Sequence, residues 1–258
     1  MNQPLVTVIV PTYNRAGIIG ETIGSILGQT YREIELLVVA DGCTDDTPGV
    51  VASFNDPRAR LMSQPGSGGP AAPRNAAAAV AKGKYIAFCD DDDLWEPRKL
   101  ELQIALMERE RDLALTYTKG VNFGAQGELP RQALPIWPAR EHFRALLYGN
   151  FIVNTSVVVR REVLLAMGRF DESVAMRGSE DYQMWLRIAR RHRIAGVDEP
   201  LYRYRLHGTN LMGKRSVATL RSMKLLRDLR TAGVIDRPLF LPLAWMRIKW
   251  LVYILMGR

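Results

Sequence analysis

Four aspartates, Asp90 to Asp93, follow directly on the apolar run YIAFC at residues 85–89. Neighbouring carboxylates a few Å apart repel one another by roughly 2–4 kcal/mol per pair at an effective dielectric near 20. Either of two things offsets that cost. Water does so in an exposed acidic turn, and a hard divalent cation does so by taking oxygen ligands, usually together with substrate phosphates. In an extended segment residues two apart point the same way, so Asp90 and Asp92 would face a shared ion while Asp91 and Asp93 point elsewhere. A diphosphate ligand fits that spacing, because Mg²⁺ is generally held by one or two carboxylates and completed by phosphate oxygens.

The elements around the aspartates favour the cation. LVTVIV (5–10), IELLVVA (34–40), ARLMS (59–63) and KYIAFCD (84–90) have the apolar, β-branched character of buried strands. Between them, GIIGETIGSILGQ (17–29), TDDTPGVVASF (44–54) and PAAPRNAAAAVAKG (70–83) read as helices, the second capped by Thr44 or Asp45. Strand alternating with helix predicts an α/β fold, a mostly parallel Rossmann-like sheet flanked by helices. Open sheets of this kind bind ligands at the carboxyl ends of their strands. Three polar segments fall there: PTYNR (11–15), DGCTDDT (41–47) and DDDDLW (90–95). An ordinary acidic turn need not coincide with two other polar strand ends. Neither GxxxxGKS/T nor a GxGxxG after the first strand is present, so the glycine-based phosphate sites are missing. GSGG at 66–69 reads as a flexible connector.

Past Trp95 the alternation loosens. EPRKLELQIALMERER (96–111) is an amphipathic helix with Pro97 early, where its missing N–H does no harm. LALTYTK (113–119) reads as a strand, 124–138 as a Gly- and Pro-rich loop, and 154–170 as a strand with a short helix ending near Gly168. SEDYQMWLRIARRHR (179–193) is a helix with Glu180 and Asp181 in its first turn, and YRYRLHGTN (202–210) is a strand running into a loop.

At 258 residues, with 47% hydrophobic and 24% charged residues, the chain has the composition of an ordinary globular protein rather than a disordered one. Two cysteines, Cys43 and Cys89, read as small packed residues, and the lack of an apolar leader points to a reduced, cytoplasmic setting. The net charge of +8 is concentrated after residue 215, where eight basic residues stand against two acidic ones. The basic residues do not alternate with aromatics, so no nucleic-acid partner is expected. LPLAWMRIKWLVYILMGR (241–258) is apolar nearly all round, yet too short and charged for a membrane span. The expected organisation is a catalytic domain at 1–215, with halves at about 1–95 and 96–215, and a basic, apolar helical tail at 216–258. The tail would pack on the domain, pair with a second copy, or lie on an anionic membrane surface.

Taken in order, PTYNR, DGCTDDT, GPAAPRNAAAAVAKGKYIAFCDDDDLW, SEDYQMWLRIA and His207 resemble the motifs of family 2 glycosyltransferases with the GT-A fold, over about residues 4–212. The resemblance implies a nucleotide-binding first half and an acceptor-binding second half. Pro11, Thr12, Tyr13 and Asp41 would line the base and ribose, with Arg74 and Asp91 near the nucleotide. Asp90 would contact ribose or metal, Asp92 would be the principal ligand of Mg²⁺ or Mn²⁺, and His207 would approach the metal or diphosphate. Asp181 matches the catalytic base, with Glu180 and Trp95 contacting the acceptor or supporting the site from behind. The implied reaction is transfer of a sugar from a nucleotide-sugar donor to a saccharide or lipid-linked acceptor with inversion. Its setting would be the cytoplasm, peripheral at the inner face of the membrane, in surface polysaccharide assembly.

Two positions depart from the family pattern: Ala40 stands where a second acid often precedes Asp41, and Cys43 replaces a serine. On the residues alone, Asp181 reads first as a helix N-terminal charge, worth about 0.3–1 kcal/mol, and Arg74 as a helix cap or surface ion pair. His142 and His192 lack acidic companions at ligand spacing, and Met184 and Trp185 read as a helix face. A sugar-nucleotide nucleotidyltransferase, without its glycine-rich signature, and a non-catalytic nucleotide-sugar-binding protein are the alternatives.

Overall fold

The computed structural model describes residues 3–124, 127–129, 136–138, 141–206 and 215–255. Its elements are β1 (Val6–Thr12), α1 (Ile19–Leu27), β2 (Ile34–Asp41), α2 (Thr47–Ser53), β3 (Ala59–Gln64), α3 (Ala71–Val80), β4 (Tyr85–Phe88) and β5 (Leu94–Trp95). There follow α4 (Lys99–Arg109), β6 (Leu113–Gly124), β7 (Gly127–Leu129), α5 (His142–Leu146), β8 (Val158–Arg160), α6 (Arg161–Ala166), α7 (Glu180–Arg191), β9 (Arg193–Arg205), α8 (Arg215–Thr231) and α9 (Phe240–Leu255).

The sheet runs β3-β2-β1-β4-β8-β6-β9-β5, with β7 beside β6. Its first four strands are parallel, Val6 lying opposite Ile34 on one side and Tyr85 on the other. Beyond β4 the sheet is mixed: β8 is antiparallel to both β4 and β6, β6 and β9 are parallel, and β5 returns antiparallel on β9. The sequence expectation of a mostly parallel sheet therefore describes the N-terminal half. The second half departs from it because only two residues separate β6 from β7, too few for the crossover that parallel neighbours need, so the two pair antiparallel. The same pairing puts a strand inside the segment expected to be a Gly- and Pro-rich loop.

The apolar runs of β1, β2 and β4 are buried on both faces, as parallel strands between helix layers are. Val8, Leu36 and Ala87 face one core with Ile23 of α1 and Ile104 of α4, whereas Ile9, Leu37 and Phe88 face another with Ala77 of α3 and Trp185 of α7. Helix α4 starts at Lys99, and Pro97 lies before it, its carbonyl accepting from Thr30 N. Asp45 anchors the start of α2, accepting from Thr47 N at 3.0 Å while its other oxygen accepts from Ala16 N. Gly168 takes a φ of 82° just past α6, where a left-handed residue ends a helix without Cβ strain.

The first helix of the tail joins the main body. Met223, Leu225, Leu226 and Leu229 are buried in the same core as α7, and Arg190 of α7 pairs with Asp236 at 3.2 Å. Among the described residues no helix is long and apolar enough to cross a membrane.

Trp185 is fully buried and packs its ring against Phe88 (6.1 Å) and Phe170 (6.2 Å), locking α7 to β4. Trp185→Ala is expected to lower stability by about 3–5 kcal/mol, measured by urea denaturation. A loss below 1 kcal/mol would show that α7 is held from elsewhere.

Candidate active site

The carboxyl ends of β1, β2 and β4 lie side by side, so Tyr13, Asp41 and the aspartate run share one edge of the sheet. Within the run the four side chains have separate surroundings. Asp93 is fully buried, accepts from Arg205 N at 3.0 Å, and is pushed well above the usual carboxylate range by burial and by Asp90 and Asp92. It therefore ties β9 to the site instead of facing a ligand. Asp91 and Asp92 face Arg15, at 3.4 and 3.8 Å. Burial, with the charge of Asp92, pushes the Asp91 carboxyl up to about 6 against the opposing pull of Arg15.

Asp90 is held at one oxygen, Oδ1, by Arg74 Nη2 (2.8 Å) and Asn154 Nδ2 (2.9 Å). The other prong of the same guanidinium, Nη1, reaches Glu180 Oε1 at 2.8 Å. Arg74 and Glu180 are both nearly inaccessible, and Glu180 also accepts from Gly178 N at 2.7 Å. Arg74 thus joins α3, the end of β4 and the start of α7. Burial alone would lower its pKa, but Asp90, Glu180 and Asp181 together raise it.

Asp181 is the half-buried carboxylate beside that junction. Asn150 Nδ2 donates to it at 3.4 Å, and Tyr182 N donates to its other oxygen. Burial, followed by the neighbouring charge of Glu180, pushes its carboxyl up to about 7, with Arg74 pulling the other way. A carboxylate that titrates near neutrality beside a cleft can take a proton from a hydroxyl.

The other residues singled out in the sequence fall as follows. Pro11 and Thr12 are buried at the end of β1, so Tyr13, 58% exposed, offers the open side chain of that turn, while its N–H donates to Asp91 at 3.3 Å. Asp41 accepts from Gln64 Nε2 (2.7 Å), Ser67 N (3.0 Å) and Ser67 Oγ (2.7 Å), so its carboxylate holds the 65–69 loop. That loop is more than a flexible connector. Gly42, at φ 74°, lies so close that a Cβ there would meet Gly66 Cα at 2.7 Å. Of the two roles expected for Trp95, support from behind is the one its position permits. Its ring is buried, donates through Nε1 to Thr155 O at 3.0 Å, and is covered by Lys99 at 4.0 Å, leaving no face for an acceptor. His207 lies outside the described residues. His142 is buried against Tyr117.

Sequence reasoning gave no role to Asn150, Asn154, Ser67 or Arg205, and none to Arg15 beyond its motif. Each is an ordinary polar residue whose partner lies far along the chain.

The oxygen-only donor set of Asp90, Asp91 and Asp92 suits a hard cation. Among the described residues no three His, Cys, Asp or Glu side chains come together as a cage. Mg²⁺ and Mn²⁺ fit such a site, since they accept few protein ligands when phosphate completes the shell.

A parallel sheet extended by antiparallel strands, with aspartates at the strand ends and a carboxylate on the facing helix, is the arrangement of the GT-A class of folds. The S. aureus TarS structure with UDP-GlcNAc superposes with a TM-score of 0.74 at 21% identity, over 96% of this chain and 72% of that one. The mannosyltransferase PcManGT of Pyrobaculum calidifontis, solved with GDP-Man and Mn²⁺, gives a TM-score of 0.67 at 20% identity, over 96% and 70%. Residues 7–167 match the model of glycosyl transferase family 2, and the chain belongs to that family. It is 30% identical over 230 residues to WfgD of Escherichia coli, a UDP-Glc:alpha-D-GlcNAc-diphosphoundecaprenol beta-1,3-glucosyltransferase, covering 88% of this chain and 87% of that protein. Some curated relatives are far longer: the chain spans 34% of a Rickettsia conorii glycosyltransferase and 21% of the hyaluronan synthase of Pasteurella multocida.

Removing Arg74 leaves Glu180 buried without its partner. Arg74→Met is expected to cost about 3–5 kcal/mol, and Arg74→Lys to restore little, because one ammonium lacks the two-pronged reach. Adding Glu180→Gln to Arg74→Met should recover part of the loss. An additive double-mutant cycle, measured by denaturant unfolding, would contradict the pairing.

Proposed function

We propose that this chain transfers a sugar from a nucleoside-diphosphate donor to a saccharide or lipid-linked acceptor with inversion, using Asp181 as general base and a divalent cation at Asp92. The observation that carries this reading is the single guanidinium of Arg74, which holds Glu180, next to the proposed base, and Asp90, at the proposed nucleotide site. The relatives support the class of substrate, since the name of WfgD specifies a UDP-sugar and a diphosphoundecaprenol-linked acceptor.

The residues divide the work. Tyr13 presents its ring to the base, and Asp41 would exchange Ser67 for ribose or base as the donor enters. Asp92, with Asp90 or Asp91, would hold Mg²⁺ or Mn²⁺, whose charge would offset that building on the leaving diphosphate. Asp181 takes the proton of the acceptor hydroxyl as that oxygen bonds to the anomeric carbon. The bond from that carbon to the diphosphate oxygen breaks, and the electron pair leaves with the nucleoside diphosphate. With one base and no protein nucleophile, attack and departure occur on opposite faces of the sugar, giving inversion. The cleft lined by Ser67, Gly69, Pro70, Asp171, Arg177 and Glu180 adjoins this centre and is open to an acceptor.

Asp181→Asn should lower turnover roughly 100- to 10,000-fold while leaving nucleotide affinity intact, as nucleoside diphosphate release and calorimetry would show. Equal turnover would remove Asp181 from the mechanism, and retained binding with no turnover in the unaltered chain would favour a binding protein. The folded-state pKa of Asp181 is raised, so its protonated form favours folding and that stability is lost as pH rises through about 7. Asp181→Asn should therefore melt no lower than the unaltered chain at alkaline pH. For catalysis the sign is opposite: kcat/KM should rise with pH toward about 7 as Asp181 ionises. Glu180→Gln removes the adjacent negative charge and should move that acidic limb to lower pH. Calorimetric titration with UDP, GDP and dTDP, with Mn²⁺ and with excess chelator, tests the donor site. One of the three should bind in a metal-dependent way that Asp92→Ala abolishes, and failure of all three with a folded sample would overturn the assignment.

A further inference from the structure

Helix α9 turns its apolar side outward. Leu241, Trp245, Ile248, Val252 and Leu255 recur every three or four residues, and each is at least 44% exposed. Leu251 lies on the same face, whereas Pro242 and Met246 point inward to the core and Leu243 packs against it. The helix contains no acidic residue, and its two cations flank the apolar stripe. Arg247 is exposed along one edge, and Lys249 sits along the other with its ammonium 5.9 Å from the Trp245 ring. Helix α8, packed beside α9, exposes Arg221, Lys224 and Arg227.

A second copy of this chain is a poor match for that face. A symmetric contact between two α9 helices would bring Arg247 and Lys249 toward their own counterparts with no carboxylate on the helix to meet them. Of the two acids between residue 216 and the chain end, Asp236 is already paired with Arg190 and Asp228 lies on α8. An anionic lipid surface satisfies both features. It takes the apolar stripe into the acyl boundary and meets the flanking cations with phosphate groups, while the long basic side chains reach outward along the helix. The 16 residues of α9 measure about 24 Å, shorter than a hydrocarbon core of about 30 Å, so the helix would lie in the plane of the surface. An aromatic such as Trp245 is at home at that depth.

We propose that the outward face of α9 docks the protein on an anionic lipid surface, with Trp245, Ile248 and Leu251 entering the acyl boundary and Arg247 and Lys249 on the headgroup phosphates. This docking surface is independent of which sugar or acceptor the enzyme uses, and its test involves no turnover.

The full-length chain is mixed with vesicles of phosphatidylcholine alone or of phosphatidylcholine and phosphatidylglycerol in equal parts, and the bound fraction is read by flotation. The chain should float with the anionic vesicles, far less with the neutral ones, and less as salt is added. Arg247→Glu with Lys249→Glu should lower partitioning at least thirtyfold, which is ~1 kcal/mol for each cation lost. Ile248→Glu should abolish flotation. Thermal unfolding by circular dichroism checks that each variant is folded, and Leu251→Ser serves where Ile248→Glu is not. No flotation with anionic vesicles, or equal binding to both kinds, would overturn the proposal. So would a dimer in light scattering that Ile248→Glu converts to a monomer, because the face would then belong to a second copy.

Discussion

One buried guanidinium organises the centre of this protein. Arg74 stays charged at any relevant pH, and its planar fork offers two directed pairs of donors. One pair engages Asp90 and the other Glu180, so the ends of β4 and α7 have a fixed relation that neither element could impose alone. Without that cation, buried Glu180 would lose its counter-charge beside two further carboxylates, Asp90 and Asp181, and the cost would open the junction. The aromatic packing of Trp185 on Phe88 and Phe170 acts behind it, pressing the same two elements together by apolar contact.

From this junction the surroundings of the four carboxylates diverge. Asp93 is withdrawn into the structure on the Arg205 backbone, Asp90 is fixed by Arg74 and Asn154, and Asp91 and Asp92 face Arg15 at 3.4 and 3.8 Å, with Tyr13 N also donating to Asp91. On the facing helix, Asp181 has its proton affinity raised to about 7 by burial and by Glu180, and lowered again by Arg74. The same arginine therefore fixes the geometry and limits how far the Asp181 carboxyl is shifted.

The two tail helices differ. Helix α8 buries Met223, Leu225, Leu226 and Leu229 against the body that carries α7, whereas α9 turns most of its apolar residues outward. The family fold supplies the platform, and the surplus apolar face lies at its periphery, away from the requirements of sugar transfer.

Much of this was legible in the sequence because it depends on local pattern. The strand runs of the first half, the helices at 71–80 and 180–191, and the placement of Tyr13, Asp41 and the aspartates at strand ends follow from apolar spacing and from where polar residues interrupt it. The resemblance to glycosyltransferases rests on those same ordered motifs, and the family match agrees with it. What the sequence could not show was pairing. Arg74 and Glu180 are 106 positions apart, Asp90 and Asn154 are 64 apart, and Asp93 and Arg205 are 112 apart. Nor could spacing tell that Trp95 would be covered by Lys99, or that a glycine-rich stretch would be pinned by Asp41. The sequence by itself determined which residues could do chemistry and that they would gather at one sheet edge. Only the tertiary structure decided which carboxylate is neutralised, buried or left open, because that depends on the distance and dielectric between groups far apart along the chain.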